Sequence, residues 1–162
     1  MSGDIFIKID GIEGESADAK HKNEIHIHSV SWGVQQQGTF ASGSGGGGAG
    51  KASFQDLHFT KVVDKSSPNL FLSCASGKHL KDATVAFRKA GGKQEEYMTI
   101  TLSNVLISSF TSSDSGGNSS LTMENVSLNF LKFEVDYKGQ NEKGAVGGSV
   151  KQGWDLSKNL KI

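Results

Sequence analysis

The chain has very little of several residue types, and each shortage excludes a class of protein. Only one of its 162 residues is cysteine and only one is proline. The single cysteine, Cys74, excludes an internal disulfide framework and suits a reducing compartment. Seventeen basic residues balance seventeen acidic ones, so the chain lacks the excess of positive charge that favours nucleic-acid binding. We therefore expect no nucleic-acid partner.

Long hydrophobic runs are also missing. No apolar run approaches the roughly 20 residues that a membrane-spanning helix needs, and we expect no insertion into a membrane. Residues 1–9, MSGDIFIKI, lack the apolar centre of a secretory signal. We therefore expect the chain to be made and folded in the cytoplasm, and to leave the cell, if it does so, without a cleaved signal peptide.

Alternation of apolar and polar residues is the main pattern that the sequence does contain. It is clear at the start, where Ile5, Ile7 and Ile9 share one face of a predicted strand. Val, Ile, Leu and Phe recur in this way along the chain, so its 21 glycines indicate turns, bulges and loops and not disorder. The length suits one ordinary domain, and we expect a single domain over residues 1–162.

Three of the predicted strands change the face on which their apolar residues lie. The change falls near Ser29, across residues 102–105 and across residues 130–131. Bulges or bends of this kind let one strand serve two sheets. The sequence therefore predicts a mainly β fold, an antiparallel β-barrel or two packed sheets, with one short flanking α-helix.

That helix is predicted from its end signals. Ser66 or Ser67 suits the N-cap, Pro68 the first helical position and Gly77 the terminator. The side that we expect to be buried contains the apolar residues Leu70, Phe71 and Cys74. Because Cys74 lies on that side, we expect it to act as a small core residue and not as a reactive thiol.

The most glycine-dense stretch, residues 43–50, reads GSGGGGAG. Together with Lys51, this stretch matches most of the sequence motif of a phosphate-binding loop. Two features do not fit that motif. Ala52 occupies the position of the hydroxyl residue that would bind magnesium, and the segment that follows resembles a strand and not a helix. An exposed contact loop is the better interpretation, because such a run has few side chains to bury and much backbone entropy to lose.

The search for catalytic or metal-binding groups finds no convincing set. His26 and His28 share a strand face at a spacing that can place two imidazoles on one metal, but nothing in the sequence indicates a third ligand near them. No nucleophile elbow occurs, and adjacent Glu95 and Glu96 point to opposite faces of a strand. We therefore expect no metal, no cofactor and no enzymatic activity.

Several segments, taken in order, resemble the Hcp family, the tube proteins of bacterial type VI secretion. They include IFIKI at 5–9, SWG at 31–33, GGGGAGK at 45–51, SPNL at 67–70 and GW at 153–154. The resemblance runs over essentially the whole chain. It implies a β-barrel with one flanking helix, assembled as a homohexameric ring.

The resemblance also implies the partners. Rings would stack into a hollow tube that a contractile sheath drives out of the cell, with a spike protein at the tip and effector proteins in the lumen. From the same reading we expect a glycine arm to contact the adjacent ring, with Lys51 pairing a carboxylate there. The arm consists of Gly43, Ser44, Gly45, Gly46, Gly47, Gly48, Ala49, Gly50 and Lys51.

A second loop and a second function complete the expectations. The small polar side chains of Ser112, Ser113 and Ser115 suit a loop that faces the lumen and contacts cargo. The alternative function is a monomeric β-sandwich that binds a ligand or carbohydrate, since it would have the same strand pattern.

Overall fold

The computed structural model describes residues 3–38, 50–91, 94–117, 121–140 and 146–162. Within these ranges the chain forms eleven strands and one helix. They are β1 (Asp4–Ile9), β2 (Ile25–Ile27), β3 (Ser29–Ser31), β4 (Val34–Gln35), β5 (Ser53–Phe54), β6 (Leu57–Val62), α1 (Ser67–Ser76), β7 (His79–Arg88), β8 (Glu96–Ser113), β9 (Met123–Gln140), β10 (Val146–Asp155) and β11 (Leu160–Lys161).

The strand ladders are antiparallel, which confirms the predicted mainly β class with one short helix. The main sheet runs in the order β11–β10–β9–β8–β7–β1–β2, and β9 also pairs with β6, which pairs with β3. A bend at His28 separates β2 from β3. The ladders of the described residues therefore surround the core without closing into a barrel.

The face change predicted near Ser29 is confirmed. Before His28 the chain pairs with β1, through Ile25 and Ile27. After it the chain pairs with β6, where Val30 lies opposite Phe59. One kinked segment therefore serves two ladders.

The other two face changes form a single corner. In the β8–β9 ladder Ser103 pairs with Lys132 and Val105 with Phe130, so Asn104 on β8 lies across from the 130–131 step on β9. Asn104 has a φ of 54°, a left-handed conformation that asparagine tolerates better than most residues. On β8 the buried positions change parity across Asn104, from Leu102 to Val105, as the sequence predicts.

Helix α1 has the predicted ends but not the predicted buried side. Ser66 is the N-cap, and Gly77 ends the helix with a φ of 64°, which glycine adopts without strain. Leu70 is buried, but Phe71 is 61% exposed, so the prediction that Phe71 faces the core is wrong. Cys74 is partly buried against the core.

The described part of the chain contains no helix long and apolar enough to span a membrane.

The core lies between the strand ladders. The largest fully buried apolar side chains of the core are Ile7, Ile25, Ile27, Leu57, Phe59, Leu70, Val85, Ile100, Leu102, Ile107 and Leu128.

Candidate assembly surfaces

The base of the glycine arm is fixed by the short β4–β5 ladder. Val34 pairs with Phe54 in that ladder. The Phe54 ring lies 5.5 Å from the Phe133 ring of β9, and Trp32 meets the same Phe133 edge-on at 5.4 Å. Aromatic contacts of this kind hold the two strands against the main sheet. The chain therefore leaves for the arm, and returns from it, at a defined place.

Only the last two residues of the predicted arm are described. Gly50 and Lys51 are both exposed, whereas residues 43–49 lie outside the described residues. Gly50 lines an apolar groove of about 530 Å³. We define this apolar groove by four of its other lining residues: Val34, Phe54, Phe133 and Trp154.

One wall of the groove depends on a glycine. A Cβ at Gly153 would lie 2.8 Å from the Phe133 carbonyl oxygen and 2.8 Å from the Ile162 side chain. Without that atom, β10 packs closely enough for the Ile162 N–H to donate a hydrogen bond to the Gly153 carbonyl. The end of the described chain is thereby held beside Trp154.

The predicted cargo loop is partly a strand. Ser112 and Ser113 belong to β8 and pair with Glu124 and Met123 of β9, so the prediction that these two serines lie in a loop is wrong. Their side chains and that of Ser115 are exposed. The strand continues because β9 offers a partner for each position, which the small polar residues of β8 do not reveal by themselves.

A buried ion-pair network, which the sequence reasoning missed, supports α1. The Lys61 ammonium lies 2.5 Å from Glu124 Oε1 and 3.0 Å from Asp64 Oδ1. The Ser67 hydroxyl donates to Glu124 at 2.7 Å and accepts from the Asp64 N–H at 3.0 Å. Because Ser67 is the first residue of α1, the network fixes the start of the helix against β6 and β9.

A period-2 pattern could have revealed this network. On β6, Lys61 shares the parity of the buried residues Leu57 and Phe59, and on β9, Glu124 shares the parity of Val126. A lysine and a glutamate at inward positions of two strands indicate a buried pair, since a buried charge needs a partner.

A second network joins β1, β7 and the loop before β2. The Arg88 guanidinium donates to Asp4 at 2.8 Å, lies 2.8 Å from Asp18 and stands 5.0 Å above the Phe6 ring. The hydrogen bond with Asp4 is the largest cause that raises the pKa of Arg88. The hydrogen bond from Arg88 is the largest cause that lowers the pKa of Asp18.

The His26 and His28 pair lies beside this second network. Their ring centres are 5.7 Å apart, and His26 Nε2 is 3.7 Å from Asp4 Oδ1. Across the residues that the structure describes, no three histidine, cysteine or acidic side chains converge in a way that could hold a metal ion.

The outward side of α1 is the second apolar surface. Its exposed residues Pro68, Phe71, Leu72 and Ala75 follow the i, i+3, i+4, i+7 spacing of one helix face. We call these four residues the helix stripe. The buried side is more polar, with Ser67 and Ser73 beside Leu70.

Comparisons with known proteins place the chain in a family. A family model described as "Type VI secretion system effector, Hcp" matches residues 6–137. The chain is 51% identical over 164 residues to "Protein hcp1" of Pseudomonas aeruginosa, an alignment that covers 99% of each protein.

Solved structures agree. A structure described as that of a type six secretion system protein has a TM-score of 0.94 and 28% identity, covering 99% of this chain and 100% of that one. The crystal structure of Hcp1 from Salmonella typhimurium has a TM-score of 0.82 and 38% identity, covering 100% of both chains. The chain therefore belongs to the Hcp family of type VI secretion tube proteins.

Proposed function

We propose that the chain is a structural subunit of the type VI inner tube and not an enzyme. It acts as one domain over residues 1–162, and its homohexameric rings stack into a hollow tube. The observation that carries this proposal is the 51% identity to an Hcp protein over 99% of both chains. The comparisons give no support to the alternative, a monomeric ligand- or carbohydrate-binding β-sandwich.

The proposed partners follow from the geometry of a tube. A ring closes when one surface of each subunit binds a different surface of the next, and the two unlike faces of a ring can then repeat without limit. A contractile sheath surrounds the tube, a spike protein covers its tip and effector proteins occupy its lumen. The subunit is made in the cytoplasm and is then secreted as part of the tube.

Electron microscopy of the purified protein tests this function. Six-membered rings with a central hole are the expected particles. Particles of single-subunit size at every concentration would contradict the proposal, since a tube needs the ring as its repeating unit.

The proposed role of Gly43–Lys51 is contact with the adjacent ring. The support is the exposure of Gly50 and Lys51 next to the well-anchored β4–β5 base. Gly47→Trp adds bulk to the arm and should reduce stacked tubes while single rings remain, whereas Gly47→Ala is the matched small control. If Gly47→Trp forms as many stacked tubes as the unmodified chain, the arm does not contribute to the contact between rings.

The proposed role of Ser112, Ser113 and Ser115 is contact with cargo in the lumen. All three side chains are exposed at the end of β8. Ser115→Gln should lower effector retention in a pull-down with intact rings, and Ser149→Gln, at an exposed serine of β10, is the control. Equal retention by both variants would place the cargo contact elsewhere.

A further inference from the structure

The helix stripe needs a covering partner. An apolar stripe at this spacing normally faces the core of a protein, but here Phe71 is 61% and Leu72 64% exposed. No residue of α1 carries a charge, and none of the four stripe positions holds a polar side chain. Exposed apolar surface of this kind marks a contact site, and a helix with such a face typically binds in an apolar groove.

The apolar groove lies elsewhere on the same subunit. Phe71 of the stripe contacts Phe110 of β8, whereas Phe133 of the groove pairs with Leu102 of β8. Eight residues separate Leu102 from Phe110, which is up to roughly 26 Å along a strand. The helix stripe and the apolar groove therefore lie at two separate places on the subunit.

We propose that the helix stripe of one subunit binds in the apolar groove of the next, and that this contact closes the ring. The inference rests on the proposed function and names the partner of both surfaces as a second copy of this chain. A closed ring of identical subunits needs two unlike, complementary surfaces on each copy. The stripe and the groove supply such a pair.

Charge favours the same pairing. The last turn of α1 has no basic residue, so the partial negative charge of its terminal carbonyls is not offset by a side chain of that turn. Lys161 lines the groove, and Lys51 lies beside Trp154 at its edge. A helix that binds in the groove with its last turn toward Trp154 brings that negative end close to these two ammonium groups.

Light scattering after gel filtration tests the stripe. Leu72→Glu places a charge on an exposed stripe position without touching the core, and should convert hexamers into monomers. Asn69→Glu adds the same charge to an exposed position of the same helix outside the stripe, and should leave the hexamer intact. A far-ultraviolet melt checks that both variants fold.

Mixing two variants tests the pairing itself. Val34→Glu damages the groove at a residue that is 57% exposed and leaves the stripe intact, so it should also be monomeric. In an equal mixture, the Leu72→Glu chain keeps an intact groove and the Val34→Glu chain keeps an intact stripe. The intact stripe should bind in the intact groove and give a heterodimer, which cannot grow because its other two surfaces are damaged. A mixture that stays monomeric would overturn the pairing.

The failure of this inference can be told from failure of the proposed function. Hexamers of the unmodified chain together with equally abundant hexamers of Leu72→Glu would overturn the stripe contact and leave the tube proposal standing. An unmodified chain that stays monomeric at every concentration would overturn both.

Discussion

The two ion-pair networks make a useful comparison because they differ mainly in exposure. In the first, the side chains of Lys61 and Glu124 are 0% and 4% exposed. In the second, Arg88 is 3% exposed, but its partners Asp4 and Asp18 are 42% and 22% exposed. The first is enclosed on both sides, whereas water reaches the carboxylates of the second.

The position of each network decides which of them the proposed ring contact depends on. The enclosed network fixes Ser67 at the start of α1 and so sets the direction of the helix stripe. The open network joins the neighbouring strands β1 and β7 to the loop before β2, and none of its ion pairs among the described residues involves α1. Breaking the first should therefore affect both stability and ring formation, and breaking the second should affect stability alone.

Lys61→Met is expected to have the largest effect. It leaves the Glu124 carboxylate buried without its cation, and removal of one partner of a buried pair typically costs about 3–5 kcal/mol. Urea unfolding measures the loss, and gel filtration at low urea concentration should show fewer rings. Adding Glu124→Leu should restore much of the stability, since the two most deeply buried charges are then gone and only the more exposed Asp64 carboxylate remains. A loss for Lys61→Met below about 1 kcal/mol would contradict an enclosed network, because an exposed pair contributes no more than that.

Arg88→Met should cost less, about 2 kcal/mol, because water can solvate the two carboxylates that it leaves behind. Urea unfolding again gives the measurement, and the rings of this variant should persist wherever it is folded. A loss as large as that of Lys61→Met would mean that exposure does not separate the two networks.

The way in which folding stability falls at acid pH should report the open network. Because the pKa of Asp18 is lowered in the folded chain, its contribution is present above the unfolded-state pKa of about 3.9 and is lost as the pH falls through the folded value. Thermal melts across this range should therefore fall less steeply for Asp18→Asn than for the unmodified chain. If the melting temperatures of the two proteins fall equally steeply as the pH is lowered, the Arg88–Asp18 contact is contradicted.

The smallest effect is expected at Lys151→Ala. Lys151 lies 2.6 Å from Glu134, but its side chain is 60% exposed, and pairs of this kind contribute about 0.2–1 kcal/mol. A urea series should show a change near the lower end of that range that disappears in high salt. A change above 1 kcal/mol that persists in salt would show that exposure is a poor guide in this sheet.

The local features of the fold were predictable because each has a local cause. Pro68 and Gly77 determine the ends of α1 through backbone conformation alone. The bend at His28 and the corner at Asn104 are visible in the sequence. At each place the apolar residues switch between odd and even positions, because the strand changes the face that it buries.

The remaining features depend on contacts between distant segments. Phe71 was expected inside because it is apolar, but Ser67 is held inward by Glu124, 57 residues away, and this fixes the rotation of the helix. The apolar groove likewise combines Val34, Phe133 and Trp154 from three strands, and no period within one segment indicates that they meet. Of the predicted arm, only Gly50 and Lys51 are described, and the role of the arm stays a prediction.

Native mass spectrometry at several protein concentrations is the most direct test of the central claim, that this chain is the ring-forming subunit of a tube. The account predicts a hexamer that persists on dilution and a mass of six chains without any added ligand. A monomer at every concentration would contradict it, because neither the stripe and groove nor the stacking arm would then have a partner.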